Sequence, residues 1–208
     1  MNLNIFSPKN AVASAYEKPN MALAFALVLL PVIVSAVIGI ALGAAVNPLA
    51  IVVLLVKAIV AWLVSGIILY VILYLFKGKS IDGKFNGILC ALSVFYLLSL
   101  VIGIITIGLL FVLFPGLGEV LQSTVAQGLS VEEASALLAG MQGTVGVSIV
   151  SVAIFFIAVL AMVVYSIYFL YRVISESAKS GLIVNLLVLL IFAALNSLAS
   201  GFLGGIGL

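Results

Sequence analysis

Few side chains in this sequence can do chemistry, and their scatter limits what that chemistry could be. The 208 residues include no histidine, which removes the commonest metal ligand and general base. No two carboxylates fall in one apolar run, so no span carries the paired acid and base of an intramembrane aspartyl site. A Ser–Lys nucleophile would have to use Lys57. Ser65 follows it only two helical turns later, about 12 Å along the same helix. There is no phosphate-cradling glycine loop and no metal-ligand spacing. The expectation is therefore a protein that is not an enzyme and holds neither cofactor nor metal.

The remaining polar groups have other uses. Lys57 is the only charge well inside an apolar run. A central charge costs about 2.5–3.5 kcal/mol on insertion scales. Its ammonium can snorkel to the headgroups, or pair with Glu119, Glu132 or Glu133. The sharper alternative is an anion or lipid-headgroup contact, or a proton-coupled site. Asn185 and Asn196 are the polar residues of the last run. In a dry setting their amides need partners, and interhelical hydrogen bonds worth roughly 1 kcal/mol are the plainer use. Trp62, Tyr70, Tyr74, Tyr96, Tyr165, Tyr168 and Tyr171 lie mostly near run ends, as an aromatic belt would. Cys90 is the single cysteine, so no intrachain disulfide can form.

The elements that must position these residues are set by hydropathy. Of the chain, 66% is hydrophobic and 7% charged, whereas a soluble domain carries roughly 25% charged residues. Lipid must be the solvent for most of it. About 20 apolar residues cross a bilayer as a helix, and five runs qualify: 21–43, 49–76, 85–114, 146–171 and 181–203. Asn47-Pro48, Lys77-Gly78-Lys79-Ser80, Pro115-Gly116 and Arg172 to Ser180 punctuate them. The first run is too long for a signal peptide's apolar region and is read as a retained span. The fold class that follows is all-α: one membrane domain, a polytopic transmembrane helical bundle.

Charge orients it. Lys9, Lys18, Lys77, Lys79, Lys84, Arg172 and Lys179 fall on one side of a five-span bundle, and the loop 115–145 on the other carries Glu119, Glu132 and Glu133. The positive-inside rule places the N-terminus in the cytoplasm of a cell-membrane protein and the C-terminus outside. Residues 1–20 can form a short amphipathic helix at the cytoplasmic interface or a loose tail. Ser130 and Glu133 have capping-box spacing, predicting a short helix in the outer loop. Small residues recur four apart at Ser35, Gly39 and Gly43, and at Ala193, Ser197, Gly201 and Gly205, with Ala61/Ser65 and Ser99/Gly103 as shorter pairs. Such stripes let helix backbones approach closely, toward the same chain or another copy.

Ile5-Phe6-Ser7-Pro8-Lys9 and Glu17-Lys18-Pro19-Asn20 together resemble the N-terminal segment of short prokaryotic Yip-domain proteins. The second run resembles them too, with Trp62, Tyr70 and Tyr74 ahead of Phe76-Lys77-Gly78-Lys79-Ser80, then Gly83-Lys84-Phe85. The resemblance implies five spans with a cytoplasmic N-terminus and a place in membrane organisation or traffic. Eukaryotic Yip proteins are named for Ypt/Rab GTPases, but this chain lacks their Asp-Leu-Tyr-Gly-Pro box and large N-terminal domain. GTPase binding is not expected. Nucleic acid is excluded, since no stretch is both basic and aromatic. The partners expected are membrane lipids, other membrane proteins or further copies of the chain. A scaffold acting inside the bilayer is the leading reading. A small-solute or ion transporter, using Pro31 as a kink and the asparagines as a lining, is the alternative.

Overall fold

The computed structural model describes residues 3–41, 47–114 and 148–205. Gly43 and the loop with Glu119, Ser130, Glu132 and Glu133 lie outside them. Among the described residues there are six α-helices and no strand. They are α1 (Pro8–Glu17), α2 (Met21–Ala41), α3 (Pro48–Lys77), α4 (Phe85–Leu113), α5 (Ile149–Ala178) and α6 (Leu182–Gly205), with a 3-10 turn at Gly78–Ile81. Five of these, α2 to α6, are long and apolar enough to cross a membrane. The chain is a multi-pass helical membrane protein.

Local chemistry starts and stops these helices. Asn47 Oδ1 accepts from the Leu49 amide at 3.0 Å, with Pro48 at the first helical position. Ser148 Oγ accepts from the Val150 amide at 3.2 Å, and Asn20 Oδ1 from Leu23 at 3.0 Å. The turn between α3 and α4 needs left-handed backbone at Gly78 (φ 56°) and Gly83 (φ 76°), which glycine adopts without a Cβ penalty. Pro31 sits inside α2 and offers no N–H to the Leu27 carbonyl.

The break from Arg172 to Ser180 proves shorter than expected. α5 runs on to Ala178, because Arg172 and Glu176 pair one turn apart at 2.6 Å and favour helix there. Lys179 then takes left-handed backbone (φ 45°), its amide bonding the Ser175 carbonyl at 2.9 Å. Polarity ended the apolar run, but the helix continued. At 30 residues α3 and α5 are each about 45 Å long, against roughly 30 Å of hydrocarbon.

The packing is uneven along the bundle. α4 touches α1, α2, α3 and α5, while α6 lies against α3 and α5. The buried core gathers at one end, from Trp62, Leu69 and Leu73 of α3, Ile88 to Val94 of α4, Phe169 to Ala178 of α5 and Val188 of α6. Toward the other end, Ile104, Ile107, Val52, Leu54, Val152 and Phe156 are exposed.

The N-terminal segment forms a short helix with one buried face, not a loose tail. α1 inserts Ala11, Val12 and Ala15, all fully buried, between α4 and α5. A face of such small residues can reach a helical backbone where larger side chains could not.

Candidate functional site

Two places concentrate the polar side chains. The first is a cleft of about 360 Å³ in the middle of the bundle. α2 contributes Pro31, Val34, Ser35 and Ile38, and α3 contributes Ser65. α4 lines it from Leu92 to Ile107, with Tyr96, Ser99 and Gly103 between, and Leu170 of α5 with Phe192 and Asn196 of α6 complete it. None of the lining side chains is charged. Ser35, Ser99, Ile104 and Ile107 are exposed and mark its open side. Leu92, where the lining on α4 begins, is buried.

One polar pair ties α3 to α6 across this cleft. Ser65 Oγ lies 2.6 Å from Asn196 Oδ1 and 2.8 Å from the Ala61 carbonyl. A serine has one hydroxyl proton, so it can serve only one of these acceptors. With the Asn196 amide turned over, Nδ2 donates to Ser65 Oγ while Ser65 donates to Ala61. Either way one edge of the amide is left over beside the cleft. Ser35 and Tyr96 also line it, and no hydrogen bond reaches their hydroxyls among the described residues.

The second place is the dock of α1. The Tyr16 hydroxyl hydrogen-bonds Ser177 Oγ and donates to the Val173 carbonyl at 3.4 Å. Lys84 Nζ donates to the Ser177 carbonyl at 3.3 Å, and the Tyr165 hydroxyl donates to the Ile5 carbonyl at 2.6 Å. Burial pushes the Tyr16 hydroxyl well above its ordinary value of 10.0, outweighing the opposite pull of the Ser177 hydrogen bond. The group is therefore a neutral structural donor rather than an acid. Gly87 gives it room, since a Cβ there would meet the Tyr16 ring at 2.5 Å.

The residues singled out from the sequence fall in different surroundings. Asn196 reaches across to Ser65, as an interhelical amide should. Asn185 does not cross to another helix. It is buried in the first turn of α6, where Nδ2 donates to the Ser180 carbonyl at 3.1 Å and Oδ1 accepts from Ser180 Oγ at 2.6 Å. Lys57 is half-buried on α3 and forms no ion pair among the described residues. Its candidate partners Glu119, Glu132 and Glu133 lie outside those residues.

The small-residue stripes divide as well. Ser35 opens on the cleft with Gly39 half-buried beyond it, whereas Ala193, Ser197 and Gly201 are exposed on α6 and Gly205 ends that helix. Sequence reasoning missed two features. Tyr96, one of the aromatics grouped with a belt that lies mostly near run ends, lines the cleft. Tyr16 carried no signal beyond an amphipathic pattern, because its partners Val173 and Ser177 are more than 150 residues away.

Comparison with known proteins gives no relative: no family model, no curated protein and no solved structure matches the chain.

Proposed function

We propose that this chain is a non-enzymatic membrane-organising protein of the cell membrane, acting through helix and lipid contacts inside the bilayer. The observation that carries the reading is the cleft, which is uncharged and lined mainly by apolar groups. Its lining on α4 begins at the buried Leu92. Transport sites ordinarily place ionisable groups or broken helices at mid-membrane. Here the mid-bundle polar pair, Ser65 and Asn196, is uncharged and bonds one helix to another. The likeness to short prokaryotic Yip-domain proteins agrees with this reading, and so do the exposed small residues of α6, which leave a face open to another membrane protein or a second copy.

The topology belongs to the same proposal. α1, the α3–α4 turn and the α5–α6 turn share one end of the bundle, joined through Lys84, Ser177 and Tyr16. Seven of the eight basic residues belong to those segments or to the helix ends beside them. The positive-inside rule makes that end cytoplasmic. A reporter fused after Leu208 should be active outside the cell, and cytoplasmic activity would overturn the assignment.

A small-solute transporter is the second reading, favoured by the fact that the cleft reaches Asn196. Crosslinking and capture from native membranes should recover a reproducible membrane-protein partner. Proteoliposomes of the pure chain should show no solute or ion flux above empty vesicles. Flux without a captured partner would reverse the order of the two readings.

A further inference from the structure

We infer that the mid-bundle cleft binds one uncharged amphiphile, a molecule with a long apolar tail and a hydroxyl-bearing head. The volume, about 360 Å³, falls in the range of roughly 300–1,000 Å³ usual for small-molecule sites. Its lining follows α4 from Leu92 to Ile107, about 22 Å of helix. That exceeds the roughly 15 Å of hydrocarbon in one leaflet, so an extended tail fits along it. Its exposed side lets a tail enter from the bilayer.

The head chemistry follows from what the walls leave unbonded. Ser35 Oγ, Tyr96 Oη and one edge of the Asn196 amide border the cleft with no partner among the described residues. Polar groups held in an apolar environment without hydrogen bonds are costly. Two of the three are hydroxyls, which donate and accept, and the amide edge does one or the other. A hydroxyl-bearing head can donate to or accept from each of these groups, whereas a hydrocarbon answers none. No side chain of the lining is charged, so a phosphate or carboxylate head would enter without a counter-charge. The site deepens the lipid-contact part of the proposed function.

Gly103 supplies a clean test. A Cβ there would meet nothing within 4 Å, and Gly103 lines the cleft, so the larger side chain of Gly103→Leu has room to enter it. The full chain in phosphatidylcholine nanodiscs is photolabelled with a monoacylglycerol carrying a diazirine in its tail. Label should map to α4 between Phe95 and Ile107. Unlabelled monoacylglycerol should compete it away, and hexadecane and palmitate should not.

Gly103→Leu should lower the label at least tenfold. Tyr96→Phe and Asn196→Leu should each weaken competition about fivefold, the loss of one hydrogen bond. Should Asn196→Leu misfold, Gly103→Leu and Tyr96→Phe still decide the matter. Label spread equally over the exposed face of α5 and indifferent to Gly103→Leu would overturn the site, as would equal competition by hexadecane. Loss of label with partner capture intact sinks the site alone. Solute flux with label intact sinks the scaffold reading alone.

Discussion

Replacing Gly87 with alanine should release α1 from the bundle. The new Cβ would stand 2.5 Å from Tyr16 Cδ1, 3.1 Å from Cε1 and 3.3 Å from the Tyr16 Cα. Carbon atoms pack best at about 3.5–4.0 Å. Rotating the ring relieves the first two contacts but pulls the hydroxyl from Ser177 and Val173. The third involves backbone, so only a shift of α1 relieves it. Overpacking of this kind costs about 1–3 kcal/mol.

Cys90, the chain's single thiol, reports the outcome. It is fully buried one turn beyond Gly87, with its Sγ 3.8 Å from Met21 Sδ at the start of α2. Lifting α1 lifts that junction. If labelling follows the open population, 1–3 kcal/mol becomes a rise of about 5- to 150-fold in the rate with a membrane-permeant maleimide. Gly103→Ala, where the added carbon meets open space, is the control and should leave the rate unchanged. Wild-type labelling in Gly87→Ala would refute the claim that Tyr16 seats on Gly87.

Other perturbations test other joints. Trp62 Nε1 donates to the Leu89 carbonyl at 3.0 Å and its ring meets Phe25 edge-on. Trp62→Phe should lower stability by about 1 kcal/mol in a steric-trap measurement in bicelles, and an unchanged value would mean the bond is idle. A double-mutant cycle of Ser65→Ala and Asn196→Leu should give a coupling of roughly 0.6–1.7 kcal/mol, the range measured between membrane helices; strict additivity would show the pair is not coupled. Burial raises the Tyr16 hydroxyl above 10.0, so the docked state favours the neutral form. Its contribution should be constant up to about pH 10 and decline as the pH climbs further, read as lost amide-exchange protection across α1. Tyr16→Phe should abolish that decline, and its persistence would assign the effect to another group.

What could be read from the sequence follows from how each signal is encoded. The five spans are written as long apolar runs, so local composition is enough to find them. The end of α5 is not written that way. Arg172 and Glu176 look like a hydrophilic break, but as a pair one turn apart they extend the helix. Asn196 was recognisable as a group in need of a partner, yet Ser65 lies 131 residues away and nothing local names it. Ala11 and Ala15 are unremarkable residues until Gly87 and α5 are set beside them. The exposed Ala193, Ser197 and Gly201 show the reverse case, a packing pattern whose partner is not within the described residues of one chain.

The dock of α1 also has a consequence for how the chain is made. Tyr16 is synthesised well before Ser177, its hydrogen-bond partner, which comes 161 residues later. At about 5–20 residues per second, that is roughly 8–32 s of translation. During that interval the buried face of α1, Ala11, Val12 and Ala15, has only α4 to meet, and before α4 emerges it has nothing. The seat of α1 is thus complete only once α5 has been made. A ribosome stalled before α5, or a chain truncated there, would present an unseated N-terminal helix with an uncovered apolar face, a form that quality-control proteases and chaperones can tell from the finished protein.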